Sequence, residues 1–372
     1  MRFKSIPLFK IAGIQVNLDF SWFIVFFLIS FTLAEYFYPH YYPDHSFLIY
    51  WFVGGISAIL LFASVLLHEL SHSLVAIRFG IPVREIDLFI FGGVAMIEEE
   101  APSPKVEFLV AVAGPVCSFL LSFLFFVIAL TYPQDDLFNG IINYLMLVNF
   151  ALAVFNLVPA FPLDGGRILR SIIWAKKDLL TATKISSWTG TVFAYVLILF
   201  GILSLIQGNL VGAMWYGLLG LFLRNASKVS YEQTKLSVIL SKYRVEQFMH
   251  TVKPVLPDET ISEFMMYHYP VYKTSIFPVI GDDGKIYEVS IVDINRVPQV
   301  DWDRIRVLEV SQPVEVYVSP YDTLLKALRL MNRYQINELP VVYGNTVLGI
   351  IKRDVIESLI ERYYIQEKLQ ES

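Results

Sequence analysis

The sequence has little charge and almost no cysteine. Only 17% of its 372 residues are charged, and the formal net charge is −5. Nucleic-acid-binding proteins carry a basic patch or stripe, which the scattered lysines and arginines do not supply, so no nucleic-acid partner is expected. The single cysteine, Cys117, cannot form an intrachain disulfide and lies in an apolar run, where cysteine usually packs as a small hydrophobic residue.

Apolar residues are abundant instead, at 55% of the chain, and they are unevenly distributed. Runs of membrane-spanning length fill roughly the first 225 positions, and the remainder alternates charge with short apolar stretches. A helix needs about 20 apolar residues to cross a bilayer. We therefore expect a polytopic α-helical membrane protein with a soluble part. Six spans are predicted, at residues 20–37, 47–65 with the helix continuing to 79, 106–130, 141–158, 185–206 and 210–223.

Lysine and arginine alternate between the two sides of these spans. The loops 38–46, 132–140 and 207–209 have none, whereas the N-terminus and the segments after the second, fourth and sixth spans carry several. Loops rich in Lys and Arg stay on the cytosolic side, so both termini and the soluble part are predicted to be cytosolic. The first apolar run is longer than a signal core and lacks a small-x-small cleavage pattern, so we expect it to remain as a span.

Residues 83–99 interrupt the helical pattern. Their start alternates apolar and polar residues, and they contain Gly92-Gly93, which favours a β-hairpin; residues 11–17 are also strand-like. Open strand edges are not tolerated against lipid. The hairpin is therefore expected at the cytosolic interface or along a wet cavity.

The soluble part contains an internal repeat. Residues 245–297 and 307–360 resemble each other, and the pattern of each indicates strand, helix, strand, strand, helix. A repeat of this length indicates paired copies of one module. The predicted limits are a membrane domain at 1–228, a linker at 229–244, a first motif at 245–300 and a second motif at 306–364.

The segment "LLHELSH" carries a metal-binding pattern in the second span. His68 and His72 are four residues apart and share one helix face, so both imidazoles can bind one Zn²⁺. Glu69 beside them can act as a general base towards water and return the proton to a leaving amine. Ionisable groups inside a membrane helix are costly and usually functional, which favours a catalytic zinc site.

A catalytic zinc takes three protein ligands, and Asp164 in "FNLVPAFPLDGGRIL" is the candidate for the third. Spans two and four run in the same direction, so Asp164 is expected at the depth of His68 and His72. The alternative is that Asp164 caps the helix that starts near Gly165, because Asp is a favoured N-cap residue. We favour the ligand, since it supplies what the histidine pair lacks.

Asn149 and Asn156 lie on one face of the fourth span, and polar groups in lipid turn inward. Asn156 can hold the substrate backbone or polarise the scissile carbonyl. An interhelical hydrogen bond is the alternative for Asn156 and the favoured interpretation for Asn149.

Together these motifs resemble the site-2 protease family of intramembrane metalloproteases. The match consists of "HELSH" and, about 90 residues later, "NLVPAFPLDGG". The resemblance implies zinc bound by His68, His72 and Asp164, with Glu69 as general base. It also implies cleavage of a partly unwound transmembrane segment of another protein, with the strands near 86–97 seating the extended substrate.

The repeat resembles a tandem CBS domain, and its second copy is the cleaner match. The resemblance implies an adenine nucleotide between the copies, held by a Ser/Thr-x-x-Asp pattern. Ser290 and Asp293 have that spacing in the first copy, whereas Asp354 in the second copy is preceded by Ile351 where the hydroxyl would stand. A nucleotide sensor and a structural domain that forms a homodimer both remain open.

The expected fold class is thus a polytopic α-helical membrane protein, with about six transmembrane helices and an interfacial β-hairpin, followed by a soluble α/β tandem CBS domain. The expected function is intramembrane zinc proteolysis in the lipid bilayer. The alternatives are a CBS-regulated channel or transporter, which would show repeats among the spans and a continuous polar path, and an inactive homologue that binds membrane helices.

Overall fold

The computed structural model describes residues 5–90, 92–97, 100–131, 136–272, 274–281 and 283–371. Residues 91, 98 and 99 of the predicted hairpin and 132–135 of one predicted loop lie outside them. The chain divides into two compact units, Met1–Glu232 and Gln233–Ser372.

Long helices form most of the first unit. They are α1 (Phe20–Tyr41, with a π-helical turn at Leu33–Phe37), α2 (Phe47–Arg78), α3 (Pro104–Ala129), α4 (Leu137–Asn156), α5 (Asp164–Trp174), α6 (Leu179–Ile206) and α7 (Leu210–Leu240). Asp19, Ser103, Asp136 and Asp178 each accept a backbone hydrogen bond at the start of a helix, as N-cap residues do.

Five helices in the described part of the chain are long and apolar enough to cross a membrane: α1, α2, α3, α4 and α6. The predicted sixth span, 210–223, forms the start of α7 and is not among them. Arg224 and Asn225 follow this short apolar run within the same helix, so the apolar part of α7 is too short to cross a membrane. The multi-pass membrane architecture is confirmed, but five helices rather than six are long and apolar enough to cross a membrane.

A four-stranded sheet accompanies these helices. Its order is β1 (Ile6–Ile11), β2 (Ile14–Leu18), β3 (Val83–Phe89) and β4 (Gly92–Ile97). Strands β3 and β4 are antiparallel, as the sequence predicts, and β2 is parallel to β3, with Val16 opposite Ile86. Buried residues of β2 and β3 pack against Trp22 of α1 and Val65 of α2. The strand β4 lies at one edge of the sheet.

The second unit contains the two predicted copies. The first comprises α8 (Ile261–Tyr267), α9 (Tyr269–Tyr272), β5 (Ile276–Ile280), β6 (Ile286–Ser290) and α10 (Ile291–Ile294). The short strand β7 (Gln312–Pro313) joins β6, and the second copy continues with α11 (Leu324–Tyr334), β8 (Glu338–Tyr343), β9 (Thr346–Lys352) and α12 (Arg353–Glu371). Short 3₁₀ helices occur at Val245–Gln247, Gln299–Asp301 and Val307–Val310.

The first strand of each copy is reduced to one bridge, from Val255 to Val279 and from Val318 to Val341. Each copy also contributes a residue to the core of the other. Val245, at the start of the first copy, is buried in the core of the second, and Ile350 of the second copy is buried in the core of the first. The paired copies therefore fold as one domain.

The core of the first copy generates a stability prediction. Phe264 is fully buried, and its ring contacts that of Phe277 edge-on at 4.8 Å between centroids. Truncation of a buried phenylalanine costs about 3–5 kcal/mol, so Phe264→Ala should destabilise this copy by that amount, whereas Val300→Ala, at an exposed position, should not. Urea-dependent hydrogen exchange of the β5 and β6 amides in the purified full chain measures the difference. Equal protection in the two variants would contradict the assigned core.

Candidate metal centre

Three buried side chains from two separate parts of the chain converge on one point. The Nε2 atoms of His68 and His72 lie 3.2 Å apart, and each is 3.1 Å from Oδ2 of Asp164. Ligands placed tetrahedrally at 2.0–2.1 Å from zinc would be about 3.3–3.4 Å from one another. The three atoms thus have nearly the separations that one zinc ion requires, and their donor set of two imidazoles and a carboxylate is one that zinc uses in catalytic sites.

Helix α3 orients both imidazole rings. Nδ1 of His72 donates to the carbonyl oxygen of Val110 at 2.6 Å, and Nδ1 of His68 lies 2.9 Å from Oγ of Ser118. A carbonyl can only accept, so the proton of neutral His72 is on Nδ1 and its Nε2 lone pair is free for a metal. The serine can hold His68 in the same tautomer.

Gly114 of α3 provides the space in which the imidazoles meet. A Cβ atom at this position would lie 2.5 Å from Nε2 of His68 and closer still to Nε2 of His72. Side-chain atoms do not approach each other so closely, so only glycine permits this arrangement of the two nitrogens.

Asp164 reaches the histidines because the chain turns sharply after α4. Gly165 and Gly166 pack so tightly that a Cβ on either would overlap the backbone of Leu157 or Phe161. Asp164 is the first residue of α5, and the cap position belongs to Leu163. The N-cap alternative for Asp164 is therefore wrong, because its carboxylate contacts the imidazoles.

Glu69 lies beside these residues on the wall of a cavity of about 310 Å³. His68, His72, Asp164 and Asn156 line the same cavity, together with Gly92 to Val94 of β4. A Cβ on Gly93 would lie 2.5 Å from Cγ of Glu69, so β4 passes directly over the glutamate. The cavity thus brings together three candidate metal ligands, a carboxylate and an edge strand.

Known proteins are similar to this chain over much of its length. The model of peptidase family M50 matches residues 56–143 and 131–200. The zinc metalloprotease MJ0392 of Methanocaldococcus jannaschii is 32% identical over 372 residues, which cover 99% of each chain.

The chain belongs to peptidase family M50. Stage IV sporulation protein FB of Bacillus subtilis is 30% identical over 146 residues, 39% of this chain and 50% of that protein. The solved structure of the site-2 protease from Methanocaldococcus jannaschii is 35% identical and covers 61% of this chain and 95% of that chain, with a TM-score of 0.46. The CBS domain model matches residues 307–361. The predictions of a site-2-type zinc metalloprotease and of a C-terminal CBS domain are confirmed.

The two asparagines of α4 differ in this M50 protein. The amide nitrogen of Asn149 donates to Oγ of Ser64 at 3.1 Å and to the Leu145 carbonyl, so it makes the interhelical bond that the sequence favours. Asn156 donates to the Leu152 carbonyl of its own helix at 3.0 Å and lines the cavity. The structure therefore leaves Asn156 available to a substrate.

The sequence analysis does not identify four residues that build the centre: Glu107, Gly114, Ser118 and Arg170. Glu107 is fully buried at the start of α3, and its Oε1 accepts from Nε of Arg170 in α5 at 2.6 Å. A glutamate beside an apolar run was a signal that could have been used. The pairing of Glu107 with Arg170 and the role of Gly114 depend on packing between helices, so no local pattern indicates them.

The predicted nucleotide-binding residues lie at helix starts in the second unit. Oγ of Ser290 donates to Oδ2 of Asp293 at 2.6 Å, and Asp293 also pairs with Arg296. Asp354 is in the first turn of α12. Ser290 is the N-cap of α10, and the Asp354 carboxylate accepts from the backbone N–H of Val355, so these groups are engaged locally.

A cleft of about 550 Å³ lies between the two copies. Three glutamates line it, namely Glu288, Glu315 and Glu338, together with apolar residues and Tyr334. None of its described lining residues is Lys, Arg or His. Burial raises the pKa of the Glu288 carboxyl, and the nearby Asp293 carboxylate raises it further. The cleft is therefore apolar and acidic rather than basic.

The close approach of the two imidazoles to Gly114 predicts that a side chain at this position would disrupt the metal centre. We expect Gly114→Ala to lose its zinc, because the added methyl group would occupy the space of the two Nε2 atoms. Gly55→Ala in α2 is the matched control, since a Cβ there meets no atom within 4 Å. Metal analysis of both purified variants measures zinc per chain. Full zinc in Gly114→Ala would show that the imidazoles do not meet as described.

Proposed function

We propose that this M50 protease hydrolyses peptide bonds within or next to the transmembrane segments of other proteins. His68, His72 and Asp164 hold the zinc ion, and Glu69 is the general base. The observation that carries the proposal is the close triangle of the three ligand atoms beside Glu69, within a unit whose helices cross the membrane. Buried ionisable groups at such a site are explained by function rather than by stability.

The bound zinc would supply a Lewis acid that polarises a carbonyl group and lowers the pKa of water. Glu69 accepts a proton from the attacking water and transfers it to the leaving amine. Val110 and Ser118 fix the imidazoles, and Gly114 keeps their nitrogens unobstructed. The amide group of Asn156 has a second N–H beyond its bond to Leu152, which can donate to a substrate carbonyl.

The position of β4 favours an extended substrate. Its residues Gly92 to Val94 line the cavity, and it is an edge strand of its sheet. An edge strand presents unpaired N–H and C=O groups, to which an extended peptide can add as a further strand. A transmembrane helix would therefore unwind locally before cleavage, because its backbone is otherwise hydrogen-bonded to itself.

The distribution of Lys and Arg supports an orientation with both termini and the CBS domain in the cytosol. The basic residues of the loop after α2 and the helix α5 would then lie on that side, and cleavage would occur near the cytosolic face. The CBS domain is proposed to regulate this proteolysis, either through a bound ligand or through a homodimer.

The cleft between the CBS copies supports an adenosine-like ligand more than a nucleotide with several phosphates. Tyr334 and the apolar lining can hold a base, and the amide side chains of Gln312 and Asn337 can bind its polar edges. The glutamates of the cleft would repel phosphate groups. We therefore propose that the cleft binds adenosine, the nucleoside part of the adenine nucleotide that the family resemblance implies.

Zinc content and activity of three variants test the proposed catalytic roles. Wild-type protein should carry about one zinc per chain, and His68→Ala and Asp164→Ala should lose it. Glu69→Gln should keep its zinc and lose at least about 10²-fold in turnover of a transmembrane peptide, because a general base contributes on the order of 10²–10⁴. Full zinc and activity in Asp164→Ala would disprove the third ligand.

Calorimetric titration of the purified full chain tests the cleft. Adenosine should bind at least about tenfold more tightly than ATP, because one charge repulsion of about 1.4 kcal/mol is a tenfold effect. Glu315→Lys should narrow that difference by attracting the phosphates. Wild-type binding of ATP as tight as that of adenosine would contradict the proposed preference.

A further inference from the structure

Arg167 is a cation on the cavity wall whose side chain has no partner among the described residues. It lies one turn after Asp164 in α5, is half-buried, and lines the same cavity as Glu69. Within the described ranges, no hydrogen bond or ion pair engages its side chain. Five N–H donors of a guanidinium group are therefore available in this cavity.

The neighbouring arginine of the same helix is fully engaged. Arg170 forms a charged pair with Glu107, which is completely buried, and its guanidinium lies 4.9 Å from the ring centroid of Phe161. These contacts fix α5 against α3, the helix that orients His68 and His72. Arg170 thus has a structural role, whereas the side chain of Arg167 makes no polar contact with the described residues.

The helix dipole disfavours a cation at the position of Arg167. It is the fourth residue of α5, and the N-terminal turn of a helix carries partial positive charge that disfavours a cation. A half-buried cation without a partner adds a desolvation cost. A negative or strongly dipolar group that enters the cavity would offset both costs.

A group that pairs with Arg167 in the cavity must lie near Glu69 and the candidate metal ligands. Arg167 and the third metal ligand are on the same turn of α5, and the positive charge of Arg167 acts on Glu69 and His72. The group that gains negative charge during peptide hydrolysis at this place is the oxygen of the attacked carbonyl. Guanidinium groups suit such oxygens because they donate in a rigid fork.

We propose that Arg167 donates a hydrogen bond to the carbonyl oxygen of the scissile peptide bond and stabilises the negative charge that develops there. This role rests on the proposed proteolysis at the same cavity. The interaction is stronger in the transition state than with the bound substrate, since the oxygen is charged only in the former.

Kinetics of Arg167→Gln on a transmembrane peptide with a helix-breaking segment test the role. The kcat value should fall about 10²–10³-fold, as it does when an oxyanion donor is removed, with KM changed by less than about threefold. Zinc per chain should stay at the wild-type level, and Arg167→Lys should recover part of the rate. Arg78→Gln, which removes an exposed cation at the end of α2, is the matched control and should behave as wild type.

Binding of a phosphinic peptide provides a readout without turnover. Its tetrahedral anion resembles the attacked carbonyl, so Arg167→Gln should bind it about 100-fold more weakly while it binds the matching amide peptide as wild type does. Equal affinity of the two proteins for the phosphinic peptide, a change in KM alone, or loss of zinc would each overturn the role. Absence of wild-type cleavage would count against the proposed function, and the phosphinic binding ratio would still decide on Arg167.

Discussion

Two imidazoles and a carboxylate buried among apolar helices impose the main constraint on the first unit. Each of these groups is almost completely buried, and the cost of burying it is offset only where a partner of opposite character is present. A divalent cation between His68, His72 and Asp164 would satisfy all three. The helices that carry them must therefore hold atoms from distant parts of the chain within about 0.5 Å of the required geometry.

Helix α3 provides that precision without supplying a ligand. Glu107, Val110, Gly114 and Ser118 are spaced by three or four residues and share one helix face. Along this face, a carboxylate holds α5, a carbonyl and a hydroxyl orient the two histidines, and a missing side chain leaves room for their nitrogens. In metal sites the groups that hold the ligands in place matter nearly as much as the ligands, and those of this candidate site belong to α3.

The second unit obeys a different constraint, since it must bury an apolar core in water. Its two copies interlock through Val245 and Ile350, each buried in the core of the other copy. Lys235 at the end of α7 is buried as well, where it pairs with Glu367 and lies 5.0 Å from the ring of Tyr364 in α12. These contacts pack the last turns of α7 against α12 within the second unit.

The sequence by itself determined the features that depend on local periodicity and composition. The four-residue spacing of His68 and His72 places both on one helix face, and apolar runs indicate the five membrane helices. The run predicted as a sixth span, 210–223, is shorter than the roughly 20 residues that a crossing helix needs, because Arg224 and Asn225 follow it. The tertiary structure alone decided the separation of Asp164 from the histidines, the pairing of β2 with β3, and the roles of Gly114 and Ser118. It also decided which arginine of α5 is engaged and which faces the cavity. These features depend on how separate helices pack, and packing is set by contacts between residues far apart in the chain, which no local pattern encodes.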